Sequence, residues 1–104
     1  MTIEHINEQD SRIQAALAEL QGMIAKKYPT ATFEVFHGED PEGTYLRATV
    51  DIEDTDEVVD LIIDRLVDLQ VDERLPIYVI PVRPLERVIA EMKASKKHLG
   101  QALL

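Results

Sequence analysis

The chain contains no cysteine and no tryptophan, and only five of its 104 residues are aromatic. Without cysteine there is no disulfide, no thiolate nucleophile, no zinc–thiolate site and no cysteine-ligated iron–sulfur cluster. Such a chain suits a reducing compartment, and a cytoplasmic location is expected. Basic residues are also scarce: 11 against 20 acidic, for a formal net charge of −9. Attraction to phosphate backbones or anionic lipid needs clustered Lys and Arg. Neither nucleic acid nor a membrane is therefore expected as a partner. No apolar run approaches the roughly 18 residues of a membrane span, and Met1-Thr2-Ile3-Glu4-His5 does not have the pattern of a signal peptide. Repeats, low-complexity tracts and linkers are absent too, so residues 1–104 read as a single domain.

What the chain has in quantity is aliphatic. Leu, Ile, Val and Phe supply 32 residues, about 31%, against the roughly 20% that marks disordered chains. At this length about 65% of the unfolded surface is buried on folding, enough for one modest core.

Periodicity divides the chain into six elements. Ile13, Leu17, Leu20 and Ile24 fall at i, i+4, i+7 and i+11, which predicts a helix over about Asn7–Tyr28, with Ile6 continuing the stripe backward. Asn7, Asp10 and Ser11 are its candidate N-caps, and Tyr28-Pro29 ends it. Phe33 and Val35 alternate with Thr32 and Glu34, a strand over Ala31–His37. The turn-rich Gly38–Gly43 leads into a second strand, Thr44–Ile52. There Leu46, Ala48, Val50 and Ile52 take one face and Tyr45, Arg47, Thr49 and Asp51 the other.

Asp54 and Glu57 have capping-box spacing before a broadly apolar helix that contains Leu61, Ile62, Ile63 and Leu66. Val71–Arg74 extends or breaks that helix, and Leu75-Pro76 stops it. Ile77–Val82 is an apolar strand in which Pro81 requires an edge. Pro84 opens a last helix with the stripe Leu85, Val88, Ile89 and Met92, ending in Lys93, Lys96, Lys97 and His98 before Gly100; Gln101–Leu104 is expected to fray. The predicted fold is α+β: a two-layer α-β-β-α-β-α sandwich with helices on one face of a small three-stranded sheet. Leu46, Val50, Ile62, Ile63, Leu66, Val79 and Ile89 are the expected core.

No catalytic, cofactor-binding or metal site emerges. Asp56, Asp60, Asp64, Asp68 and Asp72 recur every fourth residue. Each step turns about 400°, so the row drifts round the helix and reads as a solvated face. Counted from Asp51, the EF-hand glycine position holds Asp56 and the bidentate glutamate position holds Ile62. Gly38–Gly43 carries three acids and no following lysine, which a phosphate would avoid. His5, His37 and His98 lie far apart, and the outer two are expected on the surface.

His37 shares strand parity with Phe33 and Val35, whereas Arg47 and Asp51 point the other way. An acid–base set drawn from Glu34, His37, Tyr45, Arg47 and Asp51 is therefore disfavoured against simple Glu34–Arg47 pairing. The candidate interaction surface is Phe36, Tyr45, Arg47, Tyr78, Arg83 and Arg87. Arg83–His98 has five bases against two acids, opposite in sign to the acidic middle helix. With the uncharged strand Ile77–Val82 this predicts a homodimer.

The order helix–hairpin–helix–strand–helix, with Tyr28-Pro29, Phe33-Glu34-Val35 and Ile77-Tyr78-Val79-Ile80 before Arg83-Pro84, resembles type II KH domains and, more closely, the BolA family. The resemblance covers about Ile13–Met92 and implies a regulatory or nucleic-acid-associated domain. That family's central glycine and Arg-His pair have no counterpart between Val50 and Val59, so no site residues carry over. The leading expectation is a non-catalytic protein-interaction or regulatory module. The alternative is a small enzyme or ligand binder with carboxylates in a cleft.

Overall fold

The computed structural model describes the backbone of residues 2–103 and the side chains of residues 9–94. It contains α1 (Thr2–Lys27), β1 (Thr32–Glu39), β2 (Glu42–Thr49), α2 (Asp56–Val67), a π-helical turn (Asp68–Asp72), β3 (Ile77–Val82) and α3 (Leu85–Leu103). Three helices and a three-stranded mixed sheet make the class α+β. The strand order is β1-β2-β3, with β1 antiparallel and β3 parallel to β2. The parallel pairing follows from the α2 crossover, which returns the chain in the direction of β2.

Side-chain alternation sends Leu46 and Ala48 of β2 to one face, and α1 and α2 pack there. Ile13, Ala16, Leu17, Leu20 and Ile24 of α1 meet Val58, Ile62, Leu66 and Leu69 across a core closed by Val50, Leu75 and Ile77. No polar side chain is buried among the described residues. Arg65, the single base in the acidic stretch, leaves α2 for α1. Its Nε and Nη2 donate to Glu19 at 2.6 and 3.0 Å, and Glu73 lies 3.4 Å from Nη2. The Arg65 guanidinium holds the Glu19 carboxyl below its ordinary pKa, chiefly through this hydrogen bond.

Several expectations are corrected. Ile63 and Ile89 are exposed, at 38% and 40%, not core; Val79 is half-buried. Ile63 follows Ile62 by about 100° of helical rotation, which carries it off the sheet-facing arc. Ile89 lies on a helix that leaves the body, and Val79 on an edge strand. The first helix starts at Thr2 instead of near Asn7, and α3 runs through Gly100 to Leu103. The expected fraying of Gln101–Leu104 and the surface positions of His5 and His98 concern side chains outside the described residues, as does the Ile6 extension.

The hairpin link is only Asp40-Pro41, because Gly38 and Gly43 pair within the ladder instead of forming the turn. The N-cap position is Thr55, which makes no side-chain cap bond; Asp54 instead closes an Asx turn just before the helix, its Oδ1 accepting from the Asp56 N–H at 3.0 Å. The Glu57 side chain accepts from the Tyr28 hydroxyl at 3.3 Å instead of closing a capping box.

Candidate interaction face

Alternation that points Leu46 and Ala48 inward points Tyr45, Arg47 and Thr49 outward. Register then places three rows on the outer face: Phe36–Tyr45–Tyr78, Glu34–Arg47–Ile80 and Thr32–Thr49–Val82. The first row is continuous aromatic surface. Phe36 and Tyr45 stack with centroids 5.3 Å apart at 14°, and Tyr45 meets Tyr78 at 5.0 Å, tilted by 32°. All three rings are half-buried. The Arg47 guanidinium lies 4.9 Å from the Phe36 centroid and pairs with Glu34, as cross-strand pairing predicted. One side chain thereby joins the first row to the second.

The hairpin tip fixes the row. The Tyr45 hydroxyl donates to the Pro41 carbonyl at 2.6 Å. Desolvation of that hydroxyl, helped by Tyr78 and Asp40, raises its pKa above the ordinary tyrosine value. Gly43 sits so close to the sheet that a Cβ there would be 2.4 Å from the Pro76 carbonyl oxygen and 2.8 Å from the Tyr78 ring.

Phe36, Tyr45, Arg47 and Tyr78 are therefore brought together, while Arg83 and Arg87 are not. Arg83 donates to the Ile52 carbonyl at 3.1 Å and pairs with Glu91. Arg87 reaches Asp51 at 2.7 Å and Glu91 at 3.4 Å. These contacts pin the foot of α3 to the segment after β2. The two arginines pull the Glu91 carboxyl below its ordinary pKa, Arg83 contributing most. Reading the hairpin alone exposed Phe36 and Tyr45, but Tyr78 joins them only through the parallel register of a strand thirty residues away. Ile80 and Val82 enter the face by that register too.

His37 projects to the helix side of the sheet, 3.8 Å from Glu42 and near Asp10 and Ile13 of α1. It cannot meet Arg47, Tyr45 or Glu34, so that acid–base set is not assembled. Below the third row, Thr32, Thr49, Asp51, Pro84, Leu85 and Glu86 line an open cleft of about 560 Å³. Among the described residues no three His, Asp or Glu side chains converge as a metal site. Among them, no helix is long and apolar enough to cross a membrane.

No family model, curated protein or solved structure matches the chain. The likeness to KH and BolA layouts thus rests on element order alone, and functional argument falls to the face itself.

Proposed function

We propose that this chain is a non-catalytic protein-interaction module that holds an extended, proline-containing, basic segment of a partner against the outer face of its sheet. The observation that carries the reading is the three-ring row, tied to Arg47, on a face that neither α1 nor α2 covers. Aromatic rows accept the preformed polyproline II backbone at low entropic cost. The rim adds the charge preference, since Glu39, Asp40 and Glu42 cluster at the hairpin end of the row. A base-stacking platform for single-stranded nucleic acid needs a basic funnel instead, and Arg47 already serves Glu34. A cysteine-free chain suits a reducing compartment, and we extend the proposal to a cytoplasmic location.

The cleft beside Asp51 and Glu86 would favour a ligand binder with carboxylates. Asp51 is engaged by Arg87, however, which leaves Glu86 without a second free acid there.

Titration of the ¹⁵N-labelled chain with proline-rich basic peptides, and separately with a mixed-sequence single-stranded oligonucleotide, decides the matter. Peptide-induced amide shifts at Glu34–Phe36, Tyr45–Arg47 and Tyr78–Ile80 are expected, abolished by Phe36→Ser. Shifts at those amides with the oligonucleotide and not the peptides would replace this reading with nucleic-acid binding. Peptide shifts confined to residues lining the cleft would favour the ligand binder.

A further inference from the structure

We infer that two copies of this chain associate reciprocally, the α3 helix of each lying along the α2 helix of the other. This uses surfaces apart from the aromatic row and does not depend on that row's function. The first observation is that α3 is a helix without a bed. Its foot is pinned by Arg83 and Arg87, yet every residue from Ile89 to Ala94 is exposed, and among the described residues α3 makes no extended contact with another element. Helices in proteins owe most of their stability to the packing of an amphipathic face, so one whose described apolar stripe stands clear of its own body calls for a surface to pack on. Its apolar stripe is open: Leu85 is 69% exposed and Met92 64%, with Ile89 between them.

The second observation supplies the bed. Ile63, Val67 and Val71 fall at i, i+4 and i+8 along α2 and the π-helical turn that continues it, Val67 at 44% and Val71 at 63% exposure. Asp60, Asp64 and Asp68 form the neighbouring ridge. The groove between two such ridges is what the ridge of a second helix packs into.

Charge selects the occupant. Asp56–Asp72 carries six acids and one base, and Leu85–Leu103 carries four bases and two acids. Lys93 follows Met92 directly, so an α3 whose stripe meets Ile63, Val67 and Val71 brings Lys93 to the aspartate ridge. Pairing α3 with α3 would set like charges together, and the aromatic face has no comparable acidic ridge along it. Exchange of the same helix in both directions closes a two-fold dimer in which each contact occurs twice.

The cysteine-free chain makes the test direct. Val67→Cys, Met92→Cys and Thr49→Cys each introduce a single thiol at an accessible site, and isotope labelling of one chain identifies disulfides between copies. In oxidised mixtures at low salt, Val67→Cys with Met92→Cys is expected to cross-link at least tenfold more than either chain alone. Preferred linkage of Met92→Cys to a second Met92→Cys chain, or of Met92→Cys to Thr49→Cys on the sheet face, would overturn the arrangement. Sedimentation gives a second, thiol-free readout. Asp64→Lys and Lys93→Glu should each weaken the dimer about tenfold, and the double variant should recover most of the loss. A single species of 11.8 kDa at all concentrations would overturn the inference outright.

Discussion

The ring of Tyr45 lies over Gly38 of the neighbouring strand, so closely that a Cβ at position 38 would stand 2.3 Å from its Cε1. Glycine weakens a strand by offering nothing to pack and leaving backbone open to water. A cross-strand aromatic that covers it removes both defects, and here the covering ring is also the centre of the aromatic row.

Gly38→Ala is therefore expected to displace the Tyr45 ring, ending its bond to Pro41 and its stack on Phe36. The obstacle is a side chain that can swing away, so the stability cost is about 1 kcal/mol, the worth of an aromatic pair. With no tryptophan in the chain, the near-ultraviolet circular dichroism band comes from Tyr28, Tyr45 and Tyr78, and loss of the Tyr45 stacks on Phe36 and Tyr78 should reduce it. A tyrosine signal unchanged in the variant would show that the row does not depend on Gly38.

Gly43→Ala should behave differently. Its obstacle is the Pro76 carbonyl, which itself accepts from the Thr44 N–H at 2.8 Å and cannot retreat without breaking the β2–β3 ladder. A loss of about 1–3 kcal/mol in denaturant unfolding is expected, larger than that of Gly38→Ala. Equal losses would place the strain elsewhere.

Neighbouring positions on α2 separate core from surface. Leu66→Ala should cost about 2–5 kcal/mol, since Leu66 closes the core between α1 and the sheet. Ile63→Ala should cost under about 1 kcal/mol when measured on dilute protein in high salt. A large loss for Ile63→Ala under those conditions would mean that α2 is rotated about its axis.

Strict alternation in β2 and the residue after it made the inner set Leu46, Ala48 and Val50 readable in advance, and with it the outward Tyr45 and Arg47. A period-2 pattern admits one assignment of faces once either face is apolar. On α2 the apolar positions wrap more than half the helix, so Ile62 and Ile63 could not be told apart by pattern; only the sheet decides which of them it covers. The α3 stripe was equally visible, but a stripe states that a helix has an apolar face and not which chain covers it. The convergence of Tyr78 with Phe36 and Tyr45 depended on the parallel β2–β3 register, which no local spacing encodes. Arg83 and Arg87 looked like surface charges because their acceptors, the Ile52 carbonyl and Asp51, lie more than thirty residues away.

Acid should loosen the α1–α2 seam. Because the Glu19 pKa is lower in the folded chain than in the unfolded one, ionised Glu19 favours folding. That contribution is complete above the unfolded pKa and is lost as pH falls through the lowered native value. Glu19→Gln should lower the melting temperature slightly at neutral pH and not at all at the acid end, so the two melting curves converge on acidification. Both groups are partly solvated, so added salt should shrink the difference at neutral pH as well. A gap that widens toward low pH would contradict the ion pair as the cause.

Arg74 leaves the π-helical turn with φ at +56°, in the left-handed region. Its bonded neighbours explain the conformation: the Glu73 N–H returns to the Asp68 carbonyl at 3.1 Å and the Leu75 N–H to the Leu69 carbonyl at 2.9 Å. The chain must reverse between those two bonds so that Leu75 enters the core before β3 begins. A side chain in this conformation costs about 1–2 kcal/mol, whereas glycine gives up about 0.5–1 kcal/mol of chain entropy to be held there. Arg74→Gly should therefore leave stability unchanged or raise it by up to about 1 kcal/mol, despite removing a base from an acidic neighbourhood. Arg74→Ala keeps the Cβ strain and should give no such gain. Urea unfolding of the two variants side by side measures the difference, and a destabilised glycine variant would show that Arg74 acts through its charge and not its backbone.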